Sequence, residues 1–207
     1  MQAPPHPCAI RARDIACRRG DRVLFAGLSF DLASGEALQV AGPNGIGKSS
    51  LIRIVAGLLA PFAGTVECEG AAGLVDERPA LDPHWPLRRA LDFWAGIDGA
   101  APDRAGIDRA WIDRLGLAGL LEVPVRYLST GQKKRAAMAR LIGQGAPIWL
   151  LDEPLNGLDS AAVALVEALV AEHCAAGGIA LVASHQPIDL PGGRRIALGP
   201  PLTEREA

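Results

Sequence analysis

Several features are scarce in this sequence, and each scarcity excludes a class of protein. The 207 residues carry 21 Lys and Arg against 23 Asp and Glu, so no basic field favours nucleic acid as a partner. Residues 1–10 lack the cationic and apolar stretches of a secretory signal, and we therefore expect a cytoplasmic protein. The longest apolar stretch, residues 161–183, is interrupted by charged side chains and two glycines, so it does not predict a transmembrane segment.

Cysteine and lysine are also sparse. The four cysteines form no C-x-x-C pair, which argues against zinc or redox chemistry, and we expect them to be reduced and buried. Lysine occurs only at Lys48, Lys133 and Lys134, and every other basic side chain is an arginine. A motif that requires lysine therefore arises by chance only rarely in this chain. The cysteines are Cys8, Cys17, Cys68 and Cys174.

Apolar segments with strand character alternate with helical patterns along the chain. This alternation predicts an α/β fold with a mostly parallel sheet. Residues 49–59 have the apolar spacing of a helix that packs on the sheet, and Pro61 ends it. The predicted strands cover residues 23–32, 37–41, 148–151 and 179–183.

The middle of the chain differs from the rest. Residues 76–128 carry little strand signal, and residues 85–111 within them contain four large aromatic side chains. We therefore expect one globular unit whose α/β core, residues 1–75 and 146–207, is interrupted by a helical subdomain at about 76–145. The helix-like segments lie at residues 87–94 and 104–115, and the aromatic residues are Trp85, Phe93, Trp94 and Trp111.

A glycine-rich motif follows the predicted strand at 37–41. It fits G-x-x-x-x-G-K-[ST] and leads into a predicted helix, which is the context that the pattern requires. The glycines let backbone N–H groups point at phosphate oxygens, and the helix N-terminus adds partial positive charge. Lys48 should reach the β- and γ-phosphates, Ser49 a Mg²⁺ ion, and Ser50 the α-phosphate. The predicted nucleotide-binding residues are Gly42, Pro43, Asn44, Gly45, Gly47, Lys48, Ser49 and Ser50.

Two carboxylates, Asp152 and Glu153, follow the apolar strand at 148–151. Burial of that strand places both at its C-terminal end, where ligands bind in open α/β sheets. Asp152 suits a Mg²⁺ ligand, directly or through water, and Glu153 suits the base that activates the attacking water. Acidic residues also occur in ordinary turns, but the motif upstream favours the catalytic interpretation.

Residues 128–132, Leu-Ser-Thr-Gly-Gln, precede an apolar-periodic helix expected at about 133–142. A hydroxyl and a glycine at a helix start form an anion site suited to a γ-phosphate, and a plain serine N-cap is the alternative. Lys133 and Lys134 oppose the helix dipole slightly but favour an approaching phosphate. The candidate contacts are Ser129, Gly131 and Gln132.

A histidine, His185, lies just after the predicted strand at 179–183. A lone histidine is usually structural, but this strand end favours a place near the γ-phosphate. We predict that His185 hydrogen-bonds the γ-phosphate and orients Glu153 and its water.

The order of these motifs over residues 42–185 resembles that of the ATP-binding domains of ABC transporters, in which residues 128–132 are the signature and residues 156–159 the D-loop. The resemblance implies a P-loop NTPase core of ABC ATPase type, with an antiparallel β portion at the N-terminus and a helical subdomain that carries the signature. It also implies ATP and Mg²⁺ as ligands. In that family the signature of one subunit closes over ATP on the P-loop of another, so we expect a head-to-tail homodimer.

Two positions depart from the family pattern. The family places a glutamine between the P-loop and the signature, but residues 51–127 contain none, and Glu77 or Arg78 takes its position. A carboxylate there could contact Mg²⁺, whereas an arginine could not. The family's adenine-stacking aromatic is also missing, and Arg18 and Arg19 stand in its place. We predict that Arg19 binds the adenine ring, because a guanidinium can stack on a nucleobase.

A narrower resemblance rests on residues 17–30, 131–135 and 149–154. These stretches are similar to the ATP-binding subunits of the cytochrome c maturation system, often called haem exporters. That resemblance implies haem-handling integral membrane permease subunits as partners. It also implies a peripheral position on the cytoplasmic face of the bacterial inner membrane.

Two alternatives are compatible with the same motifs. One is the ATPase of another ABC importer or exporter, which shares every catalytic residue. The other is a soluble ABC ATPase of translation or DNA repair, but such proteins carry tandem cassettes or a long coiled-coil insertion, which this sequence lacks. Trp85, Phe93 and Trp94 either form a groove for a permease helix or fill the core of the insert.

Overall fold

The structure is a computed structural model that describes residues 7–98, 108–190 and 192–199. Within these ranges the chain forms two sheets and five α-helices. The strands are β1 (Ala9–Arg19), β2 (Arg22–Ala33), β3 (Ala37–Ala41), β4 (Ala63–Glu69), β5 (Ala72–Val75), β6 (Ile148–Asp152), β7 (Ile179–Ala183) and β8 (Arg194–Ala197). The helices are α1 (Lys48–Val55), α2 (Leu87–Ile97), α3 (Arg109–Arg114), α4 (Thr130–Gln144) and α5 (Ser160–Ala175).

The N-terminal sheet is antiparallel, with strand order β2-β1-β4. Strands β1 and β2 form a hairpin in which Arg19 pairs with Arg22. Gly20 begins the two-residue turn with φ +57°, a conformation that glycine adopts at little cost. This sheet confirms the expected antiparallel portion.

The second sheet is parallel, with strand order β5-β6-β7-β3-β8. Every residue of β3, β6 and β7 is buried, because α4 and α5 pack on one face of the sheet and α1 with the antiparallel sheet packs on the other. Strand β7 pairs with β6 on one side and with β3 on the other. The loops after these three strands therefore meet at one edge of the sheet, and the predicted α/β fold is confirmed.

The chain between β5 and β6 is helical in its described part. It holds α2, α3, α4 and two short 3₁₀ turns, and the described residues of this stretch include no strand. Helices α2 and α4 pack together, and their buried side chains join one hydrophobic cluster with β6 and α5. The four helix-like residues 104–107 lie outside the described ranges, and α3 covers only the later part of that pattern.

Helix α1 ends at Val55, four residues before the predicted end at 59. Gly57 has φ +71°, which stops the helix, and the N–H groups of Leu58 and Leu59 both turn back to O of Arg53. Leu58 is 68% exposed, so the apolar helix face predicted over residues 49–59 is wrong at this position.

Strands β4 and β8 are absent from the predictions because their sequences lack the usual signal. Every residue of β4 except Val66 is exposed, and β8 contains two arginines. Each is an edge strand, and an edge position does not require the alternation of apolar residues that reveals a half-buried strand.

All four cysteines are free, as predicted, and Cys8, Cys17 and Cys174 are buried. Cys68 is the exception, because it lies on exposed β4 and its thiol donates to O of Val55 at 3.3 Å. Among the described residues, no helix has both the length and the apolar character that crossing a bilayer demands.

A half-buried histidine makes stability depend on pH. The His173 ring stacks on Trp149 with centroids 4.0 Å apart, and its Nε2 lies 3.1 Å from O of Pro147. Burial lowers the pKa of His173, and the backbone contacts offset this only in part. The unfolded chain takes up the proton at about pH 6.5, before the folded chain does. Stability is therefore full above that pH and is lost as the pH falls toward the folded pKa.

We expect the Tm of the wild-type chain to fall between about pH 7.5 and pH 5.5, and the fall to be shallower in His173→Gln. Thermal unfolding followed by circular dichroism at each pH measures this. His84→Gln, at an exposed histidine, is the control and should keep the wild-type slope. An equally steep fall in His173→Gln would exclude His173 as the source.

Candidate active site

The P-loop, residues 42–49, lies between β3 and α1. Gly47 immediately precedes the helix and has φ +114°, in the region that favours glycine. A Cβ at this position would lie 2.9 Å from Cδ1 of Phe25 on β2. Both the backbone conformation and the close packing against the antiparallel sheet therefore require glycine here.

Lys48 is buried, and its ammonium points back into the P-loop. Nζ donates to O of Gly42 at 2.8 Å, to O of Pro43 at 3.2 Å and to Oδ1 of Asn44 at 3.4 Å. It also lies 3.1 Å from Oε1 of Glu153, an ion pair in which this oxygen accepts no well-directed hydrogen bond. The ammonium thus joins the loop to the end of β6.

Asp152 is the last residue of β6 and is buried. Its Oδ1 accepts a hydrogen bond of 3.0 Å from Oγ of Ser49, so the two residues predicted to contact Mg²⁺ lie together. Burial raises the pKa of Asp152, the bond from Ser49 lowers it, and neighbouring carboxylates raise it, for a net upward shift. A cation beside Asp152 would stabilise its charged form.

Glu153 follows β6 with φ +48°, which is uncommon for a residue with a side chain. Its carboxylate lies between two partners, with Oε1 3.1 Å from Nζ of Lys48 and Oε2 2.8 Å from Nδ1 of His185. Burial raises the pKa of Glu153, but the contacts with Lys48 and His185 outweigh it and hold the pKa below its ordinary value. The group is therefore ionised at neutral pH and able to accept a proton.

The loop that carries His185 is held by buried polar groups that sequence reasoning missed. The carbonyl oxygen of Gln186 accepts hydrogen bonds from Nε2 of Gln39 at 2.7 Å and from Oγ of Ser184 at 2.9 Å. Gln39 and Ser184 are both buried. A glutamine in the middle of the apolar strand β3 was the available signal, because a buried polar side chain needs a specific partner.

The signature serine caps α4. Ser129 Oγ accepts from N of Gln132 at 3.2 Å, and Oε1 of Gln132 accepts from N of Ser129 at 2.8 Å, which forms a capping box. The plain N-cap is therefore real, but it leaves one face of the signature open. Residues 129–132 line a cavity of 590 Å³ with Gly157, Leu158 and Asp159.

The residues that line this cavity show which motifs are neighbours within one chain. Its lining contains the signature and the D-loop but no P-loop residue. The P-loop instead lies with Asp152, Glu153 and His185. The sequence-predicted residues thus form two separate groups, one around Lys48 and one around Ser129.

The two lysines after the signature donate to backbone carbonyl oxygens of their own chain, and their attraction for an approaching phosphate stays a prediction. Lys133 Nζ donates to O of Arg126 at 3.4 Å. Lys134 Nζ donates to the backbone O of Glu153. Carbonyl oxygens within reach hold both ammonium groups against the chain itself.

The position of the missing glutamine follows β5 directly. The N–H of Arg78 donates to Oδ1 of Asp76 at 2.8 Å, which forms a tight turn. Burial is the main influence on both groups, and it raises the pKa of Asp152 and lowers the pKa of Lys134. The negative charge of Glu77 raises the pKa of each. Of the two alternatives, Glu77 is therefore the residue whose charge reaches the carboxylate site.

Arg18 and Arg19 lie at the end of β1 and are exposed. The Arg18 guanidinium lies over the ring of Phe62, 4.3 Å from its centroid, and Phe62 is 53% exposed. The N–H of Phe62 bonds O of Ala16, which fixes the ring beside β1. Sequence reasoning missed Phe62 because it is far from both arginines along the chain.

The insert aromatics divide between the two interpretations. Trp85 and Phe93 line an insert groove of 500 Å³, whereas Trp94 packs on the core with the Arg140 guanidinium 4.0 Å from its ring centroid. Phe93 is 48% exposed. The other residues of the insert groove are Pro86, Arg88, Arg89, Asp92 and Glu122.

The residues at the P-loop fit a Mg²⁺ ion that is shared with a phosphate. Ser49 and Asp152 offer a hydroxyl and a carboxylate, the hard oxygen ligands that Mg²⁺ prefers. Within the described ranges, no three His, Cys, Asp or Glu side chains are grouped so as to hold a metal. The donor set therefore suits an ion that takes one or two protein ligands and completes its shell with phosphate and water.

The family is evident from both sequence and fold. Residues 25–156 match the family model described as ABC transporter. The match spans the P-loop, the signature and Asp152-Glu153 and covers more than half of the chain. The chain belongs to the ABC transporter family, whose ATP-binding proteins are ATPases.

Two relatives within this family have high sequence identity to the chain. The chain is 58% identical over 191 residues to the cytochrome c biogenesis ATP-binding export protein CcmA of Novosphingobium aromaticivorans, covering 92% of this chain and 96% of the relative. It is 54% identical over 188 residues to CcmA of Sphingopyxis alaskensis, covering 89% and 94%. The resemblance expected from the sequence is confirmed.

Solved structures support the fold independently. The structure of an ATP binding subunit of an ABC transporter superposes with a TM-score of 0.76 at 22% identity, covering 85% of this chain and 79% of that one. At this identity the likeness supports the fold alone.

Proposed function

We propose that this chain is the ATP-hydrolysing subunit of an ABC complex that serves cytochrome c biogenesis. The main support for ATP hydrolysis is the position of the Glu153 carboxylate, which lies between Lys48 and His185 at the edge of the parallel sheet. The named activity of the relatives supports the biological part.

In the proposed mechanism the P-loop binds the phosphates of ATP. Its backbone N–H groups and the N-terminus of α1 supply partial positive charge, and Lys48 contacts the β- and γ-phosphates. Ser50 lies in the first turn of α1 beside Ser49 and contacts the α-phosphate. Because Lys48 already has Glu153 as a partner, phosphate oxygens would compete with that carboxylate for the ammonium.

The proposed Mg²⁺ site consists of Ser49 and Asp152, which are already joined by a hydrogen bond. A bound ion would neutralise charge on the β- and γ-phosphates. The upward-shifted pKa of Asp152, due first to burial, supports this site, since a group that is costly to ionise gains most from a cation.

Glu153 is the proposed base. It accepts a proton from the attacking water while His185, 2.8 Å away, orients the carboxylate and hydrogen-bonds the γ-phosphate. The hydrogen bonds on Gln186 hold the His185 loop in place for this role. A fixed loop matters because orientation is most of what the protein contributes to phosphoryl transfer.

The complete site requires two chains. Ser129, Gly131 and Gln132 surround a cavity away from the P-loop of their own chain, so we propose that they contact ATP held by a second copy. A head-to-tail homodimer then forms two equal sites. The segment at about 76–145 acts as the subdomain that carries the signature to the partner.

Adenine recognition is proposed to rest on Arg19 at the tip of the β1–β2 hairpin. Arg18 is already engaged by Phe62, which leaves Arg19 to stack on the base. The KM for ATP of Arg19→Ala tests the assignment. Arg13→Ala is the control, because Arg13 lies on the same strand but pairs with Asp31 at 2.7 Å.

The proposed partners are integral membrane permease subunits that handle haem, and the chain then sits peripherally on the cytoplasmic face of the bacterial inner membrane. The insert groove is the proposed contact, because it combines exposed Phe93 with charges of both signs. An amphipathic helix from the permease would suit such a groove.

Deletion of the gene in the native host tests the biological role. We expect the deletion strain to lose c-type cytochromes with covalently attached haem, as detected by haem staining. The wild-type gene should restore them and the Glu153→Gln gene should not. Unchanged c-type cytochromes would contradict the role and favour another importer or exporter. Copurification with ribosomes instead of a membrane permease would favour a soluble ABC ATPase.

A further inference from the structure

Lys134 connects the signature helix to the residue that carries the proposed catalytic carboxylate. It lies in the second turn of α4, after the signature that begins the helix. Its half-buried ammonium donates to the backbone O of Glu153, in the turn after β6. No sequence motif predicts this contact, because it joins residues 19 positions apart in different elements.

The backbone at Glu153 needs such support. A residue with a side chain adopts φ +48° only where its surroundings hold it there. The N–H of Glu153 bonds O of Ala183 at 2.8 Å, and its carbonyl accepts from N of Asn156 at 3.4 Å. The Lys134 bond is the charge-assisted contact on that carbonyl, and such bonds are stronger than bonds between neutral groups.

The charges around Lys134 fit a functional position. Burial lowers the pKa of Lys134, while the negative charges of Glu153, Glu77 and Asp152 act in the opposite direction. The ammonium therefore lies among the carboxylates of the site. It makes no hydrogen bond with a P-loop residue in the described part of the chain.

We propose that Lys134 is a positioning residue for ATP hydrolysis. By fixing the carbonyl of Glu153, it keeps the peptide in the conformation that directs the carboxylate between Lys48 and His185. It thereby links the position of α4 to the orientation of the Glu153 carboxylate. This proposal rests on the proposed role of Glu153.

The test compares Lys134→Met, Lys134→Gln and Lys134→Arg in the full chain copurified with its membrane partners. We expect Lys134→Met to lower kcat by about 100-fold with KM for ATP changed by no more than about twofold, because misplacing a base weakens chemistry and not binding. Lys134→Arg retains charge and donors and should recover most of kcat. Lys134→Gln, which keeps a donor without charge, should lie between them, and it replaces Lys134→Met if that variant does not fold.

A matched control shows whether the loss of any cation that joins two elements lowers kcat, or only the loss of Lys134. Arg114 on α3 forms a two-bond ion pair with Glu172 on α5, at 2.6 and 2.5 Å. Arg114→Met also removes a cation that joins the helical segment to the core, but it is remote from Glu153. It should leave kcat unchanged, whatever it does to Tm.

A double variant identifies the residue through which Lys134 acts. Lys134→Met combined with Glu153→Gln should be no slower than Glu153→Gln alone, because the base is already lost. A wild-type kcat in Lys134→Met, or additive losses in the double variant, would overturn the positioning role. Hydrolysis that survives in Glu153→Gln would instead refute the role of Glu153 as base, so the two failures are distinguishable.

Discussion

Glu153→Gln should retain ATP binding and lose hydrolysis, with kcat lower by about 10²- to 10⁴-fold, the usual contribution of a general base. The glutamine keeps the size of the side chain and can still contact His185, but it cannot accept a proton. Removal of a negative charge 3.1 Å from Lys48 also frees that ammonium for phosphate. ATP affinity should therefore be unchanged or higher.

Phosphate release and calorimetric ATP binding, measured on the same preparation, check this result. Glu167→Gln is the matched control, since Glu167 lies on α5 and accepts a bond from N of Asp189 at 2.8 Å. That variant should hydrolyse ATP at the wild-type rate. Wild-type turnover in Glu153→Gln would remove Glu153 as the base.

Lys48→Ala should fail at the earlier step of ATP binding. A charge-assisted hydrogen bond contributes about 1.5–3 kcal/mol, so loss of the Lys48 ammonium should weaken ATP binding by about 10- to 100-fold. The variant also removes the lysine partner of the buried Glu153 carboxylate and leaves His185 as its remaining side-chain contact. Removal of one member of a buried ion pair costs up to about 3–5 kcal/mol, so Tm should fall as well.

Circular dichroism and ATP titration separate the two effects of Lys48→Ala. Arg53→Ala is the control, because Arg53 is an exposed residue in the last turn of the same helix. It should bind ATP normally. Normal ATP binding by a folded Lys48→Ala chain would contradict the P-loop assignment.

The motifs that depend on local spacing could be predicted from the sequence. Lys48 follows a strand and begins a helix because the P-loop pattern encodes that local conformation. Asp152 lies at a sheet edge because a fully apolar strand precedes it. The hydroxyl of Ser49 and the carboxylate of Asp152 meet at 3.0 Å because β3 and β6 both flank β7 and end at the same edge.

Contacts between distant segments could not be predicted in the same way. The partner of Lys48 is the carboxylate of Glu153, which follows a different strand, and the partner of Lys134 is a backbone carbonyl, a group that every residue carries. The neighbour of Arg18 is Phe62, which enters from the start of β4, a strand without apolar alternation. Each contact depends on the packing of elements, and the periodicity of a single element carries no information about it.

In the proposed dimer one chain completes the ATP site of the other, and mixing two variants with complementary defects tests this most directly. Lys48→Ala lacks a working P-loop, and Gly131→Asp adds a carboxylate where the signature would meet a γ-phosphate. A Cβ at Gly131 meets only ordinary contacts, at 3.5 Å from O of Gly157 and 3.6 Å from Cδ2 of Leu158, so the second variant should fold.

In an equimolar mixture, half of the dimers contain one chain of each kind, and each of these has one site with an intact P-loop and an intact signature. Phosphate release should therefore recover to about a quarter of the wild-type rate, although each variant alone forms no complete site. If the mixture released no more phosphate than either variant alone, the signature would not act on the partner's ATP and the proposed clamp would be wrong.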